Sequence, residues 1–501
     1  MSVPFNNIPG NILTPFFFAE INSGGTPFEG NPRVLLLGPK LAGGTAPAAV
    51  PYGPIHSAAE ADALFGVGSV LSFMYRIARN NAPFQPIWAL PLADPAGAAA
   101  AGSVTFTAPG VTGAGIFHVL GRRVVFQINS ADTAATISAN FVAALNGMGL
   151  PISAAVDGTT AAKSNLTFRH VGAIGNGVEV ELAKDEPNAL ASANATIVGL
   201  TGGTGVPDVA AALPSLGDDE FDFIAAPYAD ANSLNAVRDF MSDSVGRWSP
   251  TQQLYGHYFT ANVGILSAQV TLGTSRNDQH VSIMAVPASP TPVWEWAAAI
   301  AALASAHLGD APEVSRPLQT LQLNGVLPPR DRSTWWDIAD RQALYADGMS
   351  AFRVGTDGIV RLDRVTTTYR QTAAGVTDRT FLDVETMFQA MFVSRYFRTA
   401  VSDKHSRQAL ADDNPFNLGE VATPSSVRDT FVHAYNDLVA LGVAEKADLF
   451  AKYVVVERDP NNATRLNVSA PVDVVNQLRI VATNITMFLQ YQTPSGASAV
   501  V

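Results

Sequence analysis

The stretch "RVLLLGPKLAGGTAPAAVPYGPIHSAAEADALFGVGSVLSFMYRIARNNAPFQPIWALPL", residues 33–92, decides the fold. It opens on a short apolar run, residues 33–38, that ends in a Gly-Pro turn, and it closes on a second run, "QPIWALPL". Runs of this length are typical of strands that are buried on both faces. The segment between them has the pattern of helices. Strand–helix–strand order predicts an α/β layer built on a parallel sheet.

Two helices are predicted inside this stretch. Ser57 has the position of an N-cap and Glu60 that of its capping-box partner, and an apolar helical face follows. A second helix is predicted over residues 69–79. The glycine-rich segment between them, "GVGSVL" (residues 66–71), loosely resembles a phosphate-binding loop but lacks its spacing. We therefore interpret it as a turn between two helices.

The α/β pattern is interrupted and then resumes. Residues 101–204 are alternating and rich in Thr, Val and Gly, with the hairpin pattern "FHVLGRRVVFQIN" and one capped helix. Small-residue linkers, "ADPAGAAAAGS" (residues 93–103) and "LTGGTGVPD" (residues 200–208), flank this segment. After it come the strands "EFDFIAAPY" and "HVSIMAVP" and a helix over residues 294–308. We predict a β-rich domain inserted into the α/β domain.

Beyond residue 328 the pattern indicates an α+β portion. "AFRVGTDGIVRLDRVTTTY" predicts a hairpin with its turn at Gly355–Gly358. A long helix carries apolar residues on one face (Phe381, Val384, Phe388, Phe392 and Tyr396). A further helix is predicted to be capped by Ser425 or Ser426 and to end at Gly442.

Both ends of the chain have strand character without a neighbouring partner. "NILTPFFFAEINSGG" (residues 11–25) holds three consecutive Phe and is bounded by a proline and two glycines. It does not fit an export signal, because no basic segment precedes it and the apolar run is short. Near the other end, "LRIVATNITMFLQY" alternates apolar residues from Ile485 to Tyr491. Each segment needs a sheet edge that its own surroundings do not offer.

Composition limits the possible classes of protein. A chain of 501 residues predicts two to four domains. Apolar residues make up 47% and charged residues only 15%, so we expect other copies of the chain to cover much of the surface. Membrane insertion is the alternative, but the most apolar window, from Trp294, is shorter than the ~20 residues a span needs and contains Glu295.

The residue inventory argues against several kinds of site. A net charge of −12 disfavours a nucleic-acid binder. Without cysteine there is no disulfide or thiolate ligand, and the scattered histidines predict no metal and no cofactor. The segment "GAIGNG" (residues 172–177) lacks the context of a nucleotide loop.

One segment raises the possibility of catalysis. "LGTSRND" (residues 272–278) contains Gly-Thr-Ser, as does the nucleophile turn of subtilases. A serine hydrolase also needs a histidine base and a carboxylate. His257 lacks the expected flanking residues, and no Asp-Ser/Thr-Gly motif precedes it. We therefore place Ser275 in a helix end or turn.

A basic cluster stands out in the acidic chain. "SRYFRTAVSDKHSRQ" (residues 394–408) gathers Arg395, Arg398, Lys404 and Arg407, with His405 among them. It predicts either a solvated helix face or a basic face that meets an acidic partner.

Taken together, these segments resemble a known family: the contractile-tail sheath proteins of bacteriophages, in particular those of Mu-like myoviruses. Three segments are similar. They are residues 33–92; the inserted segments "GRRVVFQINSADTAATISANFVAAL", "LPISAAV" and "GAIGNGVEVEL"; and "RLDRVTTTYRQTAAGVTDRTFLDVETM". They occur in the family's order and span most of the chain.

The resemblance implies a structural protein and not an enzyme. Its α/β core would be a subtilisin-like sheath domain, and six-fold rings would stack around a tail tube between baseplate and terminator proteins. Contraction would drive the tube through the host envelope, from a virion tail assembled in the host cytoplasm. Terminal arms would add strands to sheets of neighbouring subunits. The basic cluster would face the tube.

The resulting assignment is an N-terminal arm (1–28), a core (29–100 and 205–327), an inserted outer domain (101–204), a C-terminal α+β domain (328–484) and a C-terminal arm (485–501). The arm strands would use Phe16, Phe17, Phe18, Ile21, Ile485, Met487, Leu489 and Tyr491. Three alternatives remain: a subtilisin-like hydrolase, a surface-layer protein and the sheath of a non-phage contractile injection system.

Overall fold

The computed structural model of the chain describes residues 32–487 and Leu489. The opening stretch forms strand β1, helices α1 and α2, and strand β2: Val34–Pro39, Ala58–Phe65, Val70–Asn81 and Ile87–Leu92. The two strands pair in parallel, with Leu35 opposite Trp88. The prediction of an α/β layer from this stretch is confirmed.

The predicted helix signals are present in this layer. Ser57 Oγ accepts a hydrogen bond from the Glu60 N–H at 3.1 Å, as an N-cap should. Glu60 itself accepts from the N–H of His56, one residue earlier than a capping box requires. Gly66 ends α1 with φ +91°, and Ser69 caps α2. The glycine-rich segment is therefore a turn between helices, as predicted.

The inserted segment forms two antiparallel sheets and one helix. In chain order the elements are β3 (Ala99–Phe106), β4 (Gly113–Val119), β5 (Arg122–Ile128), α3 (Ala134–Gly147), β6 (Ile152–Val156), β7 (Lys163–Val171), β8 (Val180–Leu182) and β9 (Ala195–Thr201). The sheet orders are β6-β7-β3-β9 and β5-β4-β8. Phe106, Phe117, Phe126 and Phe141 form its core, with ring centroids 4.9–6.3 Å apart. The predicted hairpin is β4–β5.

Only the first half of the predicted linker over residues 93–103 lies outside a strand. Its second half lies in β3, which pairs with β7 and β9. A Cβ on Gly102 would lie 2.5 Å from the Val198 carbonyl oxygen, so small residues are needed for close strand packing. The outgoing and returning chains also bond to each other, because the Thr204 N–H donates to the Ala98 carbonyl at 3.0 Å.

The returning chain completes the core. Its elements are α4 (Val209–Ala212), β10 (Phe223–Ala225), α5 (Ala231–Met241), β11 (His257–Val263), α6 (Leu266–Thr274), β12 (Val281–Val286) and α7 (Val293–Leu308). Five strands of the described chain form one parallel sheet in the order β12-β11-β10-β1-β2. Strand β11 was not predicted, because the polar side chains of His257 and Thr260 are buried within it and weaken its apolar pattern.

The C-terminal portion alternates helices with short two-stranded sheets, of which β13–β14 and β17–β18 are antiparallel and β15–β16 is parallel. Its elements are α8 (Ile338–Ala346), β13 (Ala351–Val354), β14 (Val360–Arg364), α9 (Val384–His405), β15 (Ala409–Leu410), β16 (Val421–Ala422), α10 (Pro424–Ala440), α11 (Ala447–Tyr453), β17 (Val455–Arg458) and β18 (Leu466–Ser469). The predicted β13–β14 hairpin is confirmed. The prediction of Ser425 or Ser426 as the cap of α10 is wrong: Thr423 caps it, because Pro424 takes the first helical position.

Helix α9 joins the C-terminal portion to the core sheet. Phe388 stacks on Phe223 of β10 with ring centroids 4.5 Å apart, and its ring centroid lies 6.4 Å from that of Phe259 in β11. A parallel sheet must be covered on both faces. Helix α9 supplies part of that cover, so the C-terminal portion completes the core.

Candidate subunit interfaces

Strands β17 and β18 form a hairpin that is paired with no other strand of the described chain. Val456 lies opposite Val468, and Glu457 lies opposite Asn467. Val455 is 52% exposed and Val468 is 39% exposed. An isolated two-stranded hairpin is marginal in water, and its outer edges present unpaired backbone groups. This hairpin can accept further strands.

Helices α10 and α11 hold the base of this hairpin. Tyr435 of α10 stacks on Phe450 of α11 with ring centroids 3.8 Å apart, and its hydroxyl donates to the Glu445 carbonyl at 2.7 Å. Arg428 donates to the carbonyls of Ala451 and Val454, the residues that lead into β17. The first strand of the hairpin therefore starts from a fixed point.

After β18 the chain runs back over the body for about ten residues. The Val475 N–H donates to the Val443 carbonyl at 3.0 Å. Lys446 Nζ lies 2.8 Å from Asp473 Oδ2. The last of these contacts is made by Arg479.

Arg479 reaches two carboxylates with one nitrogen. Its Nη2 lies 2.7 Å from Glu385 Oε2 and 3.1 Å from Asp383 Oδ1. The Glu385 side chain is fully buried, and its other oxygen accepts from the Leu318 N–H at 2.8 Å. Arg364 also binds Asp383, with two hydrogen bonds. Burial raises the pKa of Glu385, and Arg479 is the strongest influence that opposes this rise.

Beyond Arg479 the described chain is exposed. Ile485 is 78% exposed, Met487 is 89% exposed and Leu489 is fully exposed. The predicted strand in this segment is not formed, and β18 is the last strand of the described chain, because a strand needs a partner edge. The other predicted arm residues lie outside the described residues: Phe16, Phe17, Phe18, Ile21 and Tyr491.

The structure corrects the place of Arg395 in the predicted basic face. Its side chain is 4% exposed and forms a bidentate ion pair with Asp222, at 2.5 and 2.7 Å, and a contact of 2.9 Å with Glu220. Burial lowers the pKa of Arg395, but the two carboxylates outweigh burial and raise it overall. Arg395 therefore binds within the chain, where no partner surface can reach it.

The rest of the basic cluster lies at the surface. Arg398, Lys404 and Arg407 are exposed. The nearest carboxylate to Arg398 is that of Glu220, at 3.9 Å. His405 is held inside the subunit, with hydrogen bonds of 2.6 Å to Gln408 and 2.8 Å to Thr430. Three exposed cations thus remain in this cluster.

Ser275 and His257 do not form a catalytic pair. Ser275 follows the last residue of α6, and its hydroxyl donates to the Leu272 carbonyl at 2.6 Å. This confirms its predicted place at a helix end. His257 is buried, with its Nε2 bonded to Ser282 Oγ at 2.8 Å and its Nδ1 without a partner in the described chain. The orienting carboxylate of a triad is missing from that nitrogen.

Other candidate sites have structural roles in the described chain. In "GAIGNG", Asn176 exchanges hydrogen bonds with Gly203 of the returning linker at 2.8 and 2.9 Å. Within residues 32–487, no cluster of three or more His, Asp or Glu side chains is suited to a metal ion. No helix in that range combines the length and apolarity needed to cross a bilayer.

The side chains of Arg122 and His170 join the inserted domain to the core. Arg122 of β5 lies 2.9 Å from Glu295, which is buried in the first turn of α7. His170 of β7 accepts a hydrogen bond at Nε2 from the first N–H of α2, at Val70, and its Nδ1 lies 2.7 Å from Asp94. Because Nε2 accepts, the proton lies on Nδ1. The inserted domain is therefore joined to the core by side-chain contacts as well as by its two linkers.

Sequence reasoning missed the partners of the buried carboxylates. Glu295 and Glu385 each stand in the first turn of an otherwise apolar helix segment, which signals a buried charge that needs a cation. Their partners, Arg122 and Arg479, lie far away in sequence and carry no local signal.

Comparison with known proteins gives one family. Residues 202–368, which run from the returning linker to a point four residues after the end of β14, match the model of the phage tail sheath protein central domain. The chain is 32% identical over 500 residues to the Mu-like prophage FluMu tail sheath protein of Haemophilus influenzae, covering 98% of this chain and 100% of that protein.

Two solved structures are also similar. The sheath tail protein of Desulfitobacterium hafniense has 13% identity and a TM-score of 0.49, with 92% of this chain and 97% of that chain covered. The sheath tail protein of Listeria innocua has 12% identity and a TM-score of 0.46, with 89% and 92% covered.

Proposed function

This chain belongs to the phage tail sheath protein family, and from that premise we propose how its subunits assemble and act. Its role is structural, as a subunit of a contractile tail sheath in the virion tail. In the proposed assembly, hexameric rings stack around a tail tube and are bounded by baseplate and terminator proteins. Assembly takes place in the host cytoplasm, and contraction drives the tube through the host envelope. The extended sheath would store this work as a metastable state.

The proposal is supported by two features of the described chain, one suited to accept a strand and one suited to donate it. The β17–β18 hairpin pairs with no other strand of the described chain, and the described residues from Ile480 onward are exposed and include several apolar side chains. Addition of this segment to the hairpin of a neighbouring subunit would satisfy the backbone groups of both. Each hydrogen bond contributes only ~0.5–1.5 kcal/mol, so the linkage depends on several bonds repeated over many subunits. The N-terminal residues Phe16–Phe18 are proposed as a second donor.

The remaining assignments are proposals that the described contacts support. The exposed cations Arg398, Lys404 and Arg407 form the face that meets an acidic tube. The subtilisin-like description applies to the five-stranded parallel core with its covering helices. The inserted domain lies on the outside, apart from the linkage between subunits, and moves with the core because the Arg122–Glu295 pair joins them.

Strand exchange can be tested in the full chain. Ile485→Asp places a charge in the proposed donor, and Val468→Asp places one on the proposed acceptor. Both side chains are exposed, so each subunit should fold normally. Val376→Asp, at another exposed valine, is the matched control. Electron micrographs should show long sheaths for the control and only short or no sheaths for the other two.

A truncation addresses the other end of the chain. Removal of residues 1–25 should leave a folded, soluble protein that does not form long sheaths. Normal polymerisation of this truncation, or of either charged variant, would refute strand exchange.

A further inference from the structure

The described C-terminal segment contacts the rest of the subunit up to Arg479 and is exposed beyond that residue. Up to Arg479 it is tied to the body by the contacts of Asp473, Val475 and Arg479. Every described residue from Ile480 onward is exposed. The place where the chain leaves the body is therefore marked by a side chain, Arg479, held between two carboxylates.

We propose that Arg479 is a positioning residue that fixes the point of departure of the C-terminal arm and passes tension on that arm into helix α9. This inference rests on the proposed strand exchange and names the residue that makes the exchange mechanically effective. Glu385 and Asp383 are the groups through which Arg479 acts. Within the described chain, the only other cation that contacts either carboxylate is Arg364, which binds Asp383.

The contacts form a continuous path from the arm to the core sheet. Glu385 lies in the first turn of α9, where the helix dipole favours a carboxylate. One turn further along α9, Phe388 stacks on Phe223 of strand β10. Energetic coupling between distant points is carried by packed chains of this kind. Tension on the arm would thus be transmitted through α9 to the parallel core sheet, in addition to acting on the C-terminal segment.

Loss of the Arg479 contact would lengthen the free arm. The nearest remaining contact is a neutral hydrogen bond of 3.1 Å from Gln319 to the Leu478 carbonyl. Once that bond and the 3.4 Å hydrogen bond from Gln477 to Gln389 open, the chain is held at Val475, four residues before Arg479. Four extended residues add about 13 Å of slack. A longer tether lowers the effective concentration of the arm at the neighbouring hairpin.

The test compares three variants of the full chain: Arg479→Ala, Arg479→Lys and Arg316→Ala. Arg316 makes an exposed ion pair with Glu313 and is the matched control. Sheath formation is followed by sedimentation over a range of subunit concentrations, with micrographs of the products. Arg479→Ala should raise the concentration for half-assembly about tenfold, which corresponds to about 1.4 kcal/mol. Arg479→Lys should restore assembly, because one ammonium can meet the same two carboxylates, and Arg316→Ala should have no effect.

A combined variant separates positioning from ordinary stabilisation. When the donor is already disabled by Ile485→Asp, adding Arg479→Ala should cause no further loss of assembly. An additive loss would mean that Arg479 stabilises the body independently of the arm and would overturn the proposal. The proposal would also be overturned if Arg479→Ala assembled like the wild type while Ile485→Asp did not assemble. That outcome would leave strand exchange itself unrefuted. Normal assembly of Ile485→Asp would instead refute strand exchange itself.

Discussion

Replacement of Arg395 by methionine tests whether helix α9 is joined to the core by a buried charge. Methionine keeps much of the side-chain volume but removes both hydrogen bonds to Asp222. The carboxylate of Asp222 then remains buried beneath α9 without its cation. We expect a large loss of stability, although the substituted residue lies in a segment that the sequence predicted to be a surface face.

The size of the loss follows from the burial of the two partners. The Arg395 and Asp222 side chains are 4% and 6% exposed, so water screens the pair little. Removal of one partner of a buried pair costs about 3–5 kcal/mol. Glu220 is 30% exposed and adds less. The double variant Arg395→Met with Asp222→Asn should recover most of the loss, because no unpaired charge is left.

The loss should also depend on pH. Burial raises the pKa of Asp222 and Arg395 opposes this rise, so in Arg395→Met the folded-state pKa lies further above the unfolded value of about 3.9. Above about pH 4 the folded variant then keeps a proton that the unfolded chain has already released. Its free energy of unfolding therefore falls as pH rises through and above 4. The deficit relative to wild type should be smaller at pH 5 than at pH 7.5.

Urea denaturation of the unassembled subunit, followed by tryptophan fluorescence, measures these differences. Arg398→Met is the matched control, because its side chain is 44% exposed and its nearest carboxylate oxygen is 3.9 Å away. We expect the control to change stability by less than about 1 kcal/mol. If Arg395→Met is no more destabilising than the control at either pH, the buried pair does not join α9 to the core.

Three further predictions concern other contacts. Arg122→Met should lower stability by about 3 kcal/mol, because Glu295 is left buried without a cation, and Glu295→Gln in the same chain should restore part of it, measured by the same denaturation. Ser57→Ala should cost about 1 kcal/mol, the usual value for a lost N-cap, whereas Ser57→Asn should cost little. Lys404→Gln with Arg407→Gln should weaken binding to an acidic tube and reduce its salt dependence, measured by co-sedimentation, without a change in the unfolding midpoint.

Local patterns predicted the elements whose residues supply their own signals. The apolar runs became β1 and β2, and Ser57 became a cap, because strand burial and capping depend on residues a few positions apart. Strand β11 was not predicted because His257 and Thr260 are buried in it, and Ser282, the partner of His257 Nε2, lies 25 residues away in the sequence. The cap of α10 was misplaced by two or three residues, since several hydroxyl residues there compete for the same position.

By itself, the sequence determined an α/β layer, an inserted β-rich segment, a C-terminal α+β portion and chain ends with strand character. The tertiary structure decided which charges are buried and which face outward. Arg395 and Asp222 are 173 residues apart, as are Arg122 and Glu295, and Arg479 lies 94 residues from Glu385. Periodicity and capping are local properties of the chain, whereas the removal of a charge from water depends on packing between distant segments. For that reason the basic cluster in the sequence divided into one buried arginine, which holds α9 to the sheet, and three exposed cations.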